Sequence, residues 1–570
     1  MKDTPFTAAR LLALYDQVAE AEDAIPRLRR FVLDLAVRGK LVAQEAGDEP
    51  AAELLKRIAN AETPTTGRRG KQRDTSVSNA LEELPFDAPS GWAFAPLGQL
   101  VRVLNGRAYK QQELLASGTP VLRVGNLFTS NHWYYSDLEL DDDKYCEAGD
   151  LIYAWSASFG PFIWGGPRVI FHYHIWKLPL ISDADLSKHY LYLFLQQKTR
   201  EIKEAGHGIS MVHMTKEKME KLVVPLPPLA EQRRIVRRVE ELMALCDQLL
   251  AARAGRETVR DRLTTATLSR LTAPDQPPEA APQNARFALQ SLPTLTTHPA
   301  QIKTLRQTIL NLAVRGKLVA QDPTDGPAAE LLKRIAKAKA LRVKAGQIPK
   351  KADPVRDPVW GQGIGPSGWS EIALGQVTDV ITSGSRGWGE FYSKTGPGFV
   401  RAQNIRFGKL RLDDLACVNP PSNSEGSRTQ VVRNDLLIVI TGAGVTNPAL
   451  LDQDLGEAYV SQHVGLVRPS DTALSPWLLH CLLADSGGRA ELVKRAYGAG
   501  KPGLNLDNIR NLTIPLPPLA EQHRIVARVD ALMALCDQLE SSLTTATTTR
   551  SRLLEALLHE ALGGQTEAAA

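Results

Sequence analysis

The segment PLPPLAEQRRIVRRVEELMALCDQLL at 225–250 returns as PLPPLAEQHRIVARVDALMALCDQLE at 515–540, with 21 of 26 positions identical. The two copies lie 290 residues apart. LAVRGKLVAQEAGDEPAAELLKRIA at 35–59 returns as LAVRGKLVAQDPTDGPAAELLKRIA at 312–336, and PSGWAFAPLGQL at 89–100 returns as PSGWSEIALGQV at 366–377. These are offset by 277, so the second half carries 13 extra residues between Trp369 and Pro515. Between the repeats, over about 93–224 and 370–514, almost no identity is visible. Two units are too few for a solenoid. The pattern predicts a common frame interrupted by two unlike modules.

The frame reads as helical. After the Pro-Pro pair, which suits a helix start, Ile235, Val239, Leu242, Cys246 and Leu249 follow a 4-3-4-3 spacing. Ile525, Val529, Leu532, Cys536 and Leu539 repeat it. Such spacing predicts a coiled-coil seam, with a stutter after Leu249. Residues 272–300 are proline-rich and read as a linker, and 60–88 and 338–365 read as mobile loops. The modules show short apolar runs predicting strands, among them 169–178 and 459–468, with helices at 186–204 and 476–496. The expected class is α+β. Its divisions are 1–88 (helical), 89–224 (first module), 225–365 (central helical region), 366–514 (second module) and 515–570 (final long helix).

Composition excludes more than it selects. No run approaches the roughly 18 apolar residues of a membrane span, and no signal peptide is read. The five cysteines are widely spaced and form no CxxC pair, which favours a cytoplasmic protein without disulfides or structural zinc. A net charge of +5 permits an anionic partner without demanding one. No GxxxxGK[ST] loop is present. Asn419-Pro420-Pro421 is followed by Ser422 rather than the aromatic of an amino-methyltransferase, and Glu201-Ile202-Lys203 has no upstream Pro-Asp partner. His172 and His174 alternate as on one strand face, but no third metal ligand is apparent.

The binding signals fall at matched places in the two modules. Arg107 follows Asn105-Gly106, and Ser385 and Arg386 follow Gly384, each after the first module strand. Glycine there lets the backbone approach a partner. Arg123 and Asn126 in the first module, and Arg401, Gln403, Asn404 and Arg406 in the second, sit on or beside a strand. Arg, Asn and Gln are the residue types that read base edges through paired hydrogen bonds. Ser210 and Lys216, and likewise Lys501 and Asn505, lie ahead of the repeated helix. A solvated surface is the alternative for each position taken singly.

The combination of PLPPLAEQRRIV, LAVRGKLVAQ and IPLPPLAEQHRIV, with SQHVGLVRP and GLNLDNIRNLTIPLPP, resembles the specificity subunit of type I restriction–modification systems along essentially the whole chain. The resemblance implies two α/β target-recognition domains separated by long antiparallel coiled-coil helices in a pseudo-two-fold repeat. Each domain would read one half of a bipartite, asymmetric site in double-stranded DNA. The frames would space the readers and dock two methyltransferase subunits, with two restriction subunits joining them. The chain itself would be non-catalytic. S-adenosylmethionine, ATP and Mg²⁺ would act on the partners, which form an adenine-N6 methyltransferase and ATP-dependent deoxyribonuclease. The alternatives are the same role in a methylation-only or other defence complex, a fused nuclease or methyltransferase, and a purely structural coiled-coil adaptor.

Overall fold

The computed structural model describes residues 19–61, 86, 88–156, 158–205, 214–273, 280–348, 365–420, 428–496 and 503–563. The chain divides into two units, Met1–Gly255 with Thr547–Ala570, and Arg256–Ala546. It is an α+β protein built on an internal repeat.

In the first unit, α1 (Ala24–Val37) and α2 (Ala51–Ala61) carry the first LAVRGKL and AAELLKRIA blocks. The glycine of the former has a definite task. Gly39 takes φ +67°, where only glycine is unstrained, and the Lys40 N–H returns to the Leu35 carbonyl at 3.0 Å to close the helix. Gly316 repeats this at φ +66°, with Lys317 bonded to Leu312 at 2.9 Å.

The first module then runs through β1 (Ala93–Pro96), β2 (Leu104–Asn105), β3 (Thr119–Leu122), the short helix α3 (Val124–Phe128), β4 (Tyr134–Ser136), β5 (Tyr145–Cys146), β6 (Leu151–Ala154), β7 (Gly160–Ile163), β8 (Val169–Phe171), β9 (Ile175–Lys177), α4 (Lys188–Ala205), α5 (Lys216–Glu220) and β10 (Val223–Leu226). The 44-residue α6 (Leu229–Thr272) follows. One sheet has the order β2-β9-β6-β7 and another β4-β3-β8-β5, in which β3 and β8 run parallel. β6 explains why a strand can be apolar throughout. Leu151 and Tyr153 enter the core beside α4, while Ile152 faces the core that holds Leu122 and Phe171. Alternate side chains point to opposite faces, and both faces are buried.

The second unit contains α7 (Ala280–Leu295), α8 (Pro299–Val314), α9 (Ala328–Lys344), β11 (Ser370–Ala373), β12 (Thr378–Ser383), β13 (Tyr392–Val400), β14 (Ile405–Arg406), β15 (Lys409–Leu410), β16 (Ala416–Val418), β17 (Leu436–Val439), β18 (Pro448–Leu450), β19 (Ala458–Val460), β20 (Val464–Pro469), α10 (Ser475–Leu483), α11 (Gly488–Arg495), α12 (Leu506–Arg510) and β21 (Thr513–Leu516). The 45-residue α13 (Leu519–Gly563) ends it and continues into the first unit's residues. The sheets β12-β20-β17-β18 and β16-β13-β19 correspond to those of the first module, with β13 parallel to β19. β17 behaves as β6 does. Leu436 and Ile438 face one core, and Leu437 and Val439 the other.

Both modules are attached in the same way. β1 pairs antiparallel with β10, Ala93 opposite Leu226, and β11 with β21, Ser370 opposite Leu516. Each module therefore leaves and rejoins its frame through one two-stranded sheet.

Five sequence expectations change. The long strands expected at 169–178 and 459–468 are each broken, at 172–174 and at 461–463, because their two ends join different sheets. The linker expected at 272–300 contains α7. Pro282 lies in the helix's first turn, where a missing backbone donor costs least, and Pro293 lies two residues from its end. The loop expected from 338 begins later, since α9 extends to Lys344. The single helix expected at 476–496 breaks around Gly487, whose missing side chain lets it approach the Cys481 carbonyl closely.

Candidate nucleic-acid interface

The repeated frames agree in their side-chain bonds as well as in sequence. Trp92 Nε1 donates to Glu231 Oε2 at 3.0 Å, and Gln44 Nε2 donates to Glu231 Oε1 at 2.7 Å. In the second frame Trp369 and Gln321 donate to Glu521 at 3.0 and 2.6 Å. Gln232 bonds the Pro227 carbonyl at 2.9 Å, and Gln522 the Pro517 carbonyl at 2.8 Å. Arg29 pairs with Asp247, and Arg306 with Asp537. Glu231 is 1% exposed, and burial pushes its carboxyl above the usual range. Its helix-start position is visible in sequence, but its Trp and Gln partners are not. The available signal was that Gln, Trp and Glu are all retained together in both copies.

The seam residues pack within their own units. Ile235 and Val239 are buried against Val32 and Ala36 of α1 and Tyr190 and Leu193 of α4, with Leu242 half-buried beside them. Cys246 is buried too. Ile525, Val529 and Cys536 join a core with Ile302, Ile309 and Leu310 of α8, and Leu532 is partly buried against it. Leu249 and Leu539 are 41% and 36% exposed, so burial of the seam fades there.

Within each module, three short segments converge. In the first they are the loop at Gly106-Arg107, the end of β3 at Leu122-Arg123, and the turn His172-Tyr173-His174. The His172 N–H donates to the Leu122 carbonyl at 2.9 Å, and Arg107 N–H to the Phe171 carbonyl at 3.1 Å. Gly106 lies so close that a Cβ would stand 2.4 Å from the His172 carbonyl oxygen. In the second module the Ser461 N–H donates to the Val400 carbonyl at 2.9 Å, and a Cβ on Gly384 would stand 2.0 Å from the Val460 carbonyl oxygen. The turns match as well. Ile175 N–H bonds to the His172 carbonyl and Val464 N–H to that of Ser461, both at 2.9 Å. One backbone arrangement thus displays two different sets of side chains.

The family described as the type I restriction modification DNA specificity domain matches residues 89–254 and 419–546. The EcoAI type I restriction enzyme specificity subunit of Escherichia coli is 30% identical over 94% of each chain. The chain belongs to the specificity subunits of type I restriction enzymes. The EcoEI specificity subunit of E. coli is likewise 30% identical over 94% of each chain. Among solved structures, the HsdS subunit from Thermoanaerobacter tengcongensis shares 20% identity over 84% of this chain and 98% of that one, with a TM-score of 0.40. As a specificity subunit the chain is non-catalytic and serves DNA sequence recognition.

The expected contact residues of this specificity subunit fall into groups. Arg107 is held in a two-bond pair with Glu113, at 3.0 and 2.7 Å, over the Tyr109 ring. Asn126 accepts from the Arg123 N–H at 3.1 Å and donates to the His132 carbonyl at 2.8 Å. Asn404, fully buried, accepts from the Arg401 N–H at 2.9 Å and donates to the Arg411 carbonyl at 3.0 Å. These two asparagines are therefore mounts for the preceding arginines. Arg123 lies over the Tyr134 ring at 4.1 Å. Gln403 reaches Asp414 at 3.3 Å, and Arg386 and Arg406 are exposed. Ser385 has a buried hydroxyl with no hydrogen-bond partner among the described residues. Lys216 opens α5, 3.7 Å from Glu220, and Asn505 caps α12 by accepting from Asn508 N–H at 2.7 Å. Ser210 and Lys501, with their loops, lie outside the described residues, as do Pro421 and Ser422.

The sequence marked His172 and His174 only as possible metal ligands, whereas the structure makes 172–174 a partly exposed turn beside the Arg107 loop. Tyr173 is 40% exposed, Trp155 donates to its carbonyl at 2.9 Å, and the His174 ring lies 5.1 Å from that of Trp155. Among the described residues no third His, Cys, Asp or Glu joins His172 and His174 in a metal-like group.

Burial, with the His174 ring and the Arg123 charge beside it, pushes His172 down to about 4. Its Nδ1 accepts from the His174 N–H at 3.4 Å, as a neutral ring can. An unfolded histidine takes its proton near the ordinary value of about 6.5. Between the two values the unfolded chain binds more protons, so stability falls as pH drops through that window. The thermal midpoint of the intact chain is therefore expected to decline from pH 6.5 toward 4, and His172→Gln to flatten part of that slope. An unchanged profile in the variant would show that His172 is not held neutral.

Proposed function

We propose that each module reads one half of a bipartite, asymmetric DNA site and that the two frames dock two methyltransferase subunits, with two restriction subunits completing the assembly. The carrying observation is the combination of matched frames with loop clusters of like backbone and unlike side chains. The frames meet identical partners, and the clusters meet different bases. Adenine methylation by S-adenosylmethionine, and ATP- and Mg²⁺-dependent cleavage, belong to the partners in this reading. A cytoplasmic location fits the free cysteines. No helix among the described residues is long and apolar enough to cross a membrane.

Mapping methylated adenines across the genome of cells carrying this subunit with its methyltransferase tests the reading. The expected result is one motif of two unlike halves around an unspecified spacer. A continuous motif, or identical halves, would overturn it.

A further inference from the structure

Arg123 and Arg401 are the same residue, each with an asparagine three residues on, in two modules that share little sequence. Each follows directly on the strand that runs parallel to the one ending at the turn, Leu122 opposite Phe171 and Val400 opposite Val460. Their backbones nearly coincide, with φ −119°, ψ 162° at Arg123 and φ −107°, ψ 164° at Arg401. Each N–H is held by the asparagine three residues on. In each, Nε is buried and makes no hydrogen bond among the described residues. By contrast, three of the neighbouring loop and turn positions differ, although His174 and His463 are alike. Arg107 stands against Ser385, His172 against Ser461 and Tyr173 against Gln462.

Resting on the two-reader reading above, we infer that Arg123 and Arg401 are paired anchors for the DNA sugar–phosphate backbone, and that the unlike turn residues beside them choose the bases. Two modules that read different sequences share no base pattern, but they do share the phosphate chain. A side chain kept in both is matched to what the two half-sites have in common. Phosphate contacts set position and register, and base-edge contacts set sequence. The local charges are compatible with this role. Arg401 donates to the Asp414 carbonyl at 3.0 Å, with that residue's carboxylate 3.9 Å away. The Asp414 side chain is 63% exposed, so its attraction is weakened by solvent and a phosphate can compete for the guanidinium. Arg123 faces the Tyr134 ring and neutral His172, with no carboxylate paired to it among the described residues.

The test uses the whole chain assembled with its methyltransferase subunits. Duplexes carry the mapped wild-type site, or that site with bases changed in one half. Affinity is measured against salt concentration, and methylated sites are mapped in parallel. Arg123→Gln and Arg401→Gln are each expected to lower affinity roughly 3- to 10-fold for every duplex alike, and to reduce the salt slope by about 0.9. The methylated motif stays unchanged. Arg123→Lys keeps a point charge and is expected to keep the slope. Tyr173→Ala and Gln462→Ala are expected to relax base choice, each in one half only, at an unchanged slope. The inference is overturned if Arg123→Gln changes the motif in one half, which would mark a base contact, or leaves the slope intact. Loss of slope in Arg123→Lys would mark a packing role and overturn it too. Failure of the two-reader reading would show separately, as a wild-type motif without two unlike halves.

Discussion

Replacing residues 97–222 with the corresponding segment of another specificity subunit is expected to change the bases read in one half of the site and leave the other half untouched. The joints make this possible. The segment begins and ends beside β1 and β10, which pair from Ala93 opposite Leu226 to Pro96 opposite Val223. The bonds of Glu231 to Trp92 and Gln44 lie outside it and remain. What the frame requires is a buried module face against α1 and α6, chiefly the surface around Tyr190 and Leu193. Each mismatched base costs about 1–3 kcal/mol, so the original half-site is lost by orders of magnitude while the retained half keeps its bases. Mapping methylated adenines before and after the exchange reads this directly. A change in both halves, or in neither, would end the two-reader reading.

Gly106→Ala is expected to disable the first module's reading while sparing the second, and Gly384→Ala to do the reverse. The obstacle is space. The new Cβ of Gly106→Ala would stand 2.4 and 2.5 Å from the His172 and Phe171 carbonyl oxygens. These oxygens are fixed by bonds from Ile175 and Arg107. Forcing extra volume into such a site costs about 1–3 kcal/mol, or moves the loop away. Either outcome separates the loop from the turn that carries Tyr173. The thermal midpoint is expected to fall by a few degrees. Affinity for duplexes with a correct first half is expected to drop more than 10-fold, on the order of one lost base contact. Calorimetry together with binding to half-site variants checks both statements. A variant with wild-type midpoint and base preference would show that the close approach is dispensable.

Much of the architecture was legible from the repeats. Two copies of PSGW and PLPPLAEQ at fixed offsets located both modules, because the Trp–Glu bond and the strand pair beside it recur in both. The matched glycines read as places where the backbone approaches a partner, whereas the structure sets them against the module's own turn, Gly106 at His172 and Gly384 at Val460. Other features depended on partners distant in sequence. The runs at 169–178 and 459–468 read as single strands, since apolar alternation carries no mark of a change of sheet. Arg123 and Asn126 read as two contacts, whereas the structure makes the asparagine a mount for the arginine. Their spacing recurs at Arg401 and Asn404, and that recurrence was the available signal. Arg107 read as a contact to phosphate or guanine, and the structure adds its two-bond pair with Glu113.

From the amino-acid sequence follow two like frames around two unlike modules, long helices in the frames, and the lack of a P-loop and of an intact NPP[YF] motif. Duplication makes such facts visible without coordinates, because an identical stretch needs an identical local environment. The sequence already matched the Gly106 and Gly384 loops, but what holds such places equivalent is visible in the tertiary structure alone. Equivalence in the modules is held by backbone hydrogen bonds, such as His172 to Leu122 and Ser461 to Val400, and these place almost no demand on side-chain identity. Side chains on that shared backbone could therefore diverge beyond recognition while the positions they occupy stayed the same.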